Sequence, residues 1–210
     1  MTMIFSYLSM ILSGYLLGCC NLALLLSRRK GIDLRAGGTG NLGASNAMIR
    51  MGWKAGIAVG AHDIGKAFLS VLAARLLFPE LPLIGACAGV ACVLGHMFPF
   101  YLKFKGGKGF AAYLGMTLAL NWRVALVIMA IVVLVTLITD YIVVGTVTTV
   151  LSVPAYLAWS GRSLPLFAVL FLASTVILWK HRENYVRIWK GTEIGLRRAN
   201  RGEYRDSKRQ

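Results

Sequence analysis

Long apolar runs separated by short polar segments dictate what this chain can fold into. Seven blocks run roughly over Ile4–Leu26, Ala55–Phe78, Leu83–Leu102, Phe110–Asn121, Val124–Thr139, Ile142–Ser160 and Leu164–Trp179. A helix crossing a bilayer needs about 20 mostly apolar residues, and somewhat shorter ones are tolerated. Of the 210 residues, 57% are hydrophobic, above the roughly 45–50% of soluble domains. Backbone polar groups in lipid must be satisfied within their own segment, so blocks of this length read as helices. The expected fold is an all-α integral membrane protein, a compact bundle of about seven transmembrane helices. Residues 1–196 would form one membrane domain and residues 197–210 a basic tail.

Charge orients the bundle. The chain carries 23 Lys and Arg against 8 Asp and Glu, a net +15. In a soluble protein that excess would suggest nucleic acid. Here the basic residues lie between and after apolar blocks, so the expected partners are membrane lipids and small anions, with no nucleic acid. Seven crossings place Arg28, Arg29, Lys30, Arg35, Arg50, Lys54, Lys103, Lys105, Lys108 and everything basic from Lys180 onward on one side. The other side keeps Arg75, Arg123 and Arg162. By the positive-inside rule the N-terminus is outside and the C-terminus cytoplasmic. One long span over 110–139 would put the basic C-terminus outside, so a break is expected at Asn121-Trp122-Arg123. No Lys or Arg precedes the first run, which therefore reads as a retained helix and not a signal peptide.

The remaining general signals are modest. Cys19, Cys20, Cys87 and Cys92 lie within apolar stretches, without metal-ligand spacing. Gly14/Gly18, Gly56/Gly60 and Gly85/Gly89 are GxxxG pairs, which let helix backbones approach closely in lipid. The tail residues Arg197, Arg198, Arg201, Arg205, Lys208 and Arg209 suit attraction to anionic headgroups.

Three segments on the basic side carry chemistry. Gly37 to Asn46 interleaves glycines with Thr39, Asn41, Ser45 and Asn46. Glycines let backbone N–H groups converge on an anion, although a plain flexible loop would look similar. Gly95-His96 to Pro99 and Lys105-Gly106-Gly107-Lys108-Gly109 precede a helix start, where N–H groups and dipole favour a phosphate. Topology-setting lysines would account for part of this. After the last block, His181, Asn184 and Arg187 fall at i, i+3 and i+6, near one helical face. Within the second block, Asp63 and Lys66 lie at i, i+3. They read as a buried ion pair or as a wall of an active site.

Together these segments resemble the signature motifs of the bacterial acyl-phosphate-dependent glycerol-3-phosphate acyltransferases, the PlsY family. Gly38 to Asn46 follows a G-S-G-N-x-G-A-T-N pattern, with Thr39 for Ser and Ser45 for Thr. Gly95, His96, Pro99, Phe104, Lys105, Gly106, Gly107, Lys108, Gly109 and Ala111 follow the second motif. His181, Asn184 and Arg187, behind Lys180, follow the third, and Gly191-Thr192-Glu193 also looks familiar. The chain departs from the family pattern at Ile49, where an Arg is usual and Arg50 comes one later. It departs again at Ala112 for Thr, and at Val143 and Thr146 for serines.

The resemblance implies acyl transfer from acyl phosphate to glycerol 3-phosphate, giving lysophosphatidate and phosphate in bacterial phospholipid synthesis. Lys105, Gly106, Gly107 and Gly109, with His96, would hold the acyl phosphate. Asn41, Ser45, Asn46, Arg50 and Lys66 would hold glycerol phosphate. His181, Asn184, Lys108 and Thr39 are the expected catalytic group. The expected enzyme is a cofactor-free, metal-free monomer in the bacterial cell membrane, its active site facing the cytoplasm. The alternatives are a transporter for a small phosphorylated anion, or a non-catalytic paralogue.

Overall fold

Each of the seven apolar blocks folds as helix, and among the described residues there is no strand. The computed structural model describes residues 2–161 and 163–200; Arg162 and the tail positions Arg201, Arg205, Lys208 and Arg209 lie outside the described residues. In chain order the helices are α1 (Met3–Cys19), α2 (Leu22–Arg29), α3 (Ala44–Met51), α4 (Trp53–Leu77), α5 (Ile84–Met97), α6 (Phe110–Leu120), α7 (Trp122–Thr139), α8 (Ile142–Gly161), α9 (Leu164–Lys180), α10 (Arg182–Trp189) and α11 (Leu196–Asn200). The boundary expected after residue 196 falls inside α11.

Five stretches are long and apolar enough to cross a membrane: Met3–Arg29, Trp53–Leu77, Ile84–Leu102, Trp122–Thr139 and Ile142–Gly161. A sixth arises if α9 and α10, bent by 45°, count as one. Helix α6 has 11 residues, about 16 Å at the α-helical rise, half of a hydrocarbon core of about 30 Å. It is the shortest of the apolar blocks, and its length alone leaves it out of that count. The break at Asn121 is where charge placed it. Asn121 ends α6 and caps α7, its Oδ1 accepting from the Val124 N–H at 3.2 Å.

The first block is broken too. Helix α1 ends at Cys19, and Asn21 restarts the chain as α2 by accepting from the Leu24 N–H at 2.8 Å. A helix break at membrane depth must have its carbonyls satisfied by other protein groups. Lys66 Nζ donates to the carbonyls of Gly18 at 3.0 Å and Cys20 at 2.8 Å. Tyr101 donates its hydroxyl to Cys19 O at 2.7 Å.

Small residues set the spacing of α1 on α5. A Cβ on Gly14 would stand 2.4 Å from the Ala88 carbonyl oxygen, and one on Gly18 only 2.1 Å from that of Cys92. The GxxxG pair is therefore intramolecular packing, as its sequence suggested. Around α5 the core gathers Val71, Tyr113, Met116, Val150 and Leu170 from α4, α6, α8 and α9. Large apolar side chains such as Leu76 and Ile138 point outward, as suits a surface in lipid. Gly18→Ala is expected to destabilise the protein by about 1–3 kcal/mol, because the clash is with backbone and no rotamer relieves it. The readout is the thermal unfolding midpoint in detergent. An unchanged midpoint would mean a looser α1–α5 contact than the structure has.

Candidate active site

An open cleft of about 140 Å³ lies where the three motifs meet. Its floor is the Gly37–Asn46 loop, shaped by Gly38 and Gly40 at φ 63° and 69°. Asn46 is fully buried and holds the loop from within. Its Oδ1 accepts from the Thr39 N–H at 2.8 Å, and its Nδ2 donates to Leu34 O and Asn41 O, each at 2.7 Å. Asn41 Nδ2 donates to Thr39 Oγ1 at 2.8 Å, which leaves the Thr39 hydroxyl proton for the cleft. Helix α3 then opens with Gly43 at its N-cap and no side-chain cap. Its first N–H groups lack helical partners, and Gly43, Ala44 and Ser45 line the cleft.

The second motif contributes through α6. Gly109, at φ 93°, is the N-cap of α6, again without a side-chain cap. Lys108, Gly109, Phe110 and Ala111 line the cleft. Two uncapped helix N-termini therefore face one cavity, an arrangement suited to anions. Lys108 adds its ammonium. Burial and the nearby Arg187 guanidinium hold its pKa down to about 8, against the opposing pull of Glu193.

The third motif sits where α9 gives way to α10. His181, just past the end of α9, directs Nδ1 at the Ile177 carbonyl at 2.9 Å. A carbonyl only accepts, so Nδ1 carries the proton and Nε2 is left as an acceptor. Burial holds His181 well below the usual imidazole range, at about 4, so the ring is neutral at physiological pH. Asn184 accepts from Lys108 Nζ and donates to Glu193. Glu193 in turn accepts from Arg187 Nε at 2.6 Å. This chain of bonds ties the second motif to the third through a buried carboxylate.

Sequence reasoning left Glu193 out of the site, although Gly191-Thr192-Glu193 carried a signal. Gly191, at φ 67°, turns the chain back after α10. The segment then docks on the α7–α8 turn, where the Leu196 N–H donates to Asp140 O at 2.9 Å. Ile194, Gly195 and Leu196 thus join Tyr141, Ile142 and Val143 in an apolar wall.

The structure brings Thr39, Asn41, Ser45, His96, Lys108, Gly109, His181 and Asn184 to this cleft. It places six other expected site residues elsewhere, for identifiable reasons. Lys66 is buried on the α1 break and pairs with Asp63 at 2.9 Å. Asn46 is the internal strut of its loop. The Arg50 guanidinium packs under the loop, where a Cβ on Gly37 would meet Nη1 at 2.8 Å, and Ile49 takes the position on the cleft. The Gly106 and Gly107 N–H groups donate to Met97 O and His96 O, each at 3.1 Å, so neither is available to a phosphate. Lys105 is exposed, and its carbonyl accepts from Arg35 at 3.2 Å. The uncapped N–H groups on this side of the cleft are therefore those at the start of α6. Among the described residues no group of three or more His, Cys, Asp or Glu could hold a metal ion.

Comparison with known proteins points to one family. The family described as Glycerol-3-phosphate acyltransferase matches residues 8–191. A glycerol-3-phosphate acyltransferase of Coxiella burnetii is 37% identical over 189 residues, covering 90% of this chain and 97% of that one. Glycerol-3-phosphate acyltransferase 1 of Oceanobacillus iheyensis is 34% identical, covering 84% and 88%. Among solved structures, the integral membrane glycerol 3-phosphate acyltransferase PlsY (YgiH) in its glycerol 3-phosphate form superposes with a TM-score of 0.86 at 32% identity, covering 91% and 96%. Its lysophosphatidic acid form gives 0.82 at 32% identity, covering 90% and 95%.

Proposed function

The chain belongs to the glycerol-3-phosphate acyltransferase family, and on that premise we propose that its acyl donor is acyl phosphate and that the two substrates meet in the cleft described above. It is an integral membrane, multi-pass acyltransferase of phospholipid synthesis. The observation that carries the donor is the pair of uncapped helix N-termini, α3 and α6, on either side of Lys108. One cavity thus offers anion sites for two phosphorylated substrates, beside an apolar wall for a chain.

Glycerol 3-phosphate lies against Thr39, Asn41, Ser45 and the start of α3, with its attacking hydroxyl donating to His181 Nε2. The phosphoryl group of the donor lies against Lys108, His96, Gly109 and the start of α6. The hydroxyl oxygen attacks the acyl carbonyl, the ester C–O bond forms and the C–O bond to phosphate breaks. The departing phosphate takes up the proton. Acyl phosphate is already activated, so positioning supplies much of the rate, and Lys108 stabilises charge on the leaving group. The excess of basic residues on one side supports a bacterial cell membrane setting, with the N-terminus outside and the cleft facing the cytoplasm. Completeness of the cleft within one chain supports a monomer, with the basic tail toward anionic lipid headgroups.

The test is turnover of purified protein in lipid with palmitoyl phosphate and glycerol 3-phosphate, followed by phosphate release and lysophosphatidate formation. Acyl thioesters of coenzyme A and of acyl carrier protein serve as competing donors. Turnover with a thioester but not with palmitoyl phosphate would overturn the donor assignment. A pH profile adds a second check. Lys108 is cationic below about 8 and loses its charge as pH rises through that value. In kcat/KM, which reports the free enzyme, activity is expected to fall on that alkaline limb.

A further inference from the structure

We infer that Asp63 and Lys66 are positioning residues that fix His96 as an Nε2–H donor to the phosphoryl group of the acyl donor. This rests on the donor reading above. Both charges sit within α4, almost fully buried, where ionised groups are costly and tend to serve a function. Holding the α1 break needs a lysine, but it does not need an imidazole beside it. Yet His96 Nδ1 lies 3.0 Å from Lys66 Nζ, and Lys66 Nζ lies 2.9 Å from Asp63 Oδ1.

The tautomer follows from these partners. An ammonium has only protons to offer, so Nδ1 must accept, and the neutral ring carries its proton on Nε2. The other arrangement, Nδ1–H directed at Asp63 Oδ1 at 3.3 Å, would press that proton against the closer ammonium. Protonating both nitrogens would set two buried cations 3.0 Å apart. Asp63, 2.9 Å from Lys66 Nζ, anchors that ammonium beside Nδ1 and so keeps Nδ1 an acceptor.

The donor has somewhere to point. His96 lines the cleft, and no protein group among the described residues accepts from its Nε2. The glycine at 107 makes room for that atom, because a Cβ there would lie 2.1 Å from Nε2. The two imidazoles of the cleft are thus set in opposite senses. His181 presents an acceptor, suited to the attacking hydroxyl. His96 presents a donor, suited to a phosphoryl oxygen that gains charge as its bond to the acyl carbon breaks. Neither ring needs to be charged.

The test uses the native protein in lipid nanodiscs with 15N-labelled histidine, the His96 signals being assigned by their loss in His96→Gln. The expected result is a protonated Nε2 and an unprotonated Nδ1, with the Nε2–H resonance moving when a non-hydrolysable palmitoyl phosphonate is added. In kinetics, His96→Gln places an amide N–H near Nε2, whereas His96→Asn places one near Nδ1. The Asn variant is expected to raise KM for palmitoyl phosphate roughly 10–100-fold, the loss of one hydrogen bond to a charged group. The Gln variant is expected to retain most of the affinity, with KM for glycerol 3-phosphate unchanged in both. A proton on Nδ1, equal losses in the two variants, or a loss on the glycerol 3-phosphate side would each overturn the inference. The tautomer is read without turnover. Failure of the donor reading would instead appear as unsubstituted protein that ignores palmitoyl phosphate while its His96 signals stay as expected.

Discussion

Lys108→Ala is expected to lower kcat/KM with acyl phosphate by about 10²–10³-fold, the cost of removing one preorganised donor to developing charge. Three features put the effect at this residue. Lys108 is the lysine that lines the cleft, beside the uncapped start of α6. Its position is fixed by the bond to Asn184, itself held by Glu193 and Arg187. Its side chain is half-buried, so the ammonium is partly withdrawn from water, and its field on a phosphate is stronger there. The thermal unfolding midpoint should move little, because the substitution relieves a desolvated charge. Lys108→Arg keeps a cation that does not titrate in this range, so any residual activity should lose the alkaline limb near pH 8. Near-normal kcat/KM in the Ala variant would place the leaving group elsewhere. By contrast, Lys105→Ala should have a small effect, since Lys105 is exposed and outside the cleft.

Lys66→Met is expected to be the most damaging single change to stability. It strands the Asp63 carboxylate, which is 2% exposed, and breaking a buried pair in this way costs about 3–5 kcal/mol. It also removes the donor to Gly18 O and Cys20 O, and an unsatisfied buried acceptor costs about 1–3 kcal/mol. The variant should accumulate poorly, and any protein recovered should unfold well below the parent in detergent. Asp63→Asn should be milder, because Lys66 keeps both carbonyl acceptors of the α1 break. Equal midpoints for Lys66→Met and the parent would show that the α1 break is satisfied by other means.

Fold class, family and all three motifs were legible in the linear sequence, because they depend on local information. A bilayer makes length and hydropathy of a segment nearly sufficient to assign a helix. The break at Asn121 could be placed because charge counts are additive along the chain. The break at Cys20 was not anticipated, because apolar content continues through it and the groups that stabilise it, Lys66 and Tyr101, lie far along the chain.

The division within the site has the same origin. Residue types told which segments could bind phosphate, and three such segments did converge. Which donors remain unused is a matter of pairing, and pairing is three-dimensional. The Gly106 and Gly107 N–H groups look available in sequence and are taken by the end of α5. Asn46 looks like a ligand and is a strut. Glu193 lies outside the three motifs and holds Asn184 and Arg187. The sequence by itself determined a helical membrane protein and its family, since burial in lipid and motif order are written residue by residue. Only the tertiary structure decided which of its polar groups face the cleft and which are consumed in building it, since each donor's role depends on an acceptor brought near by folding.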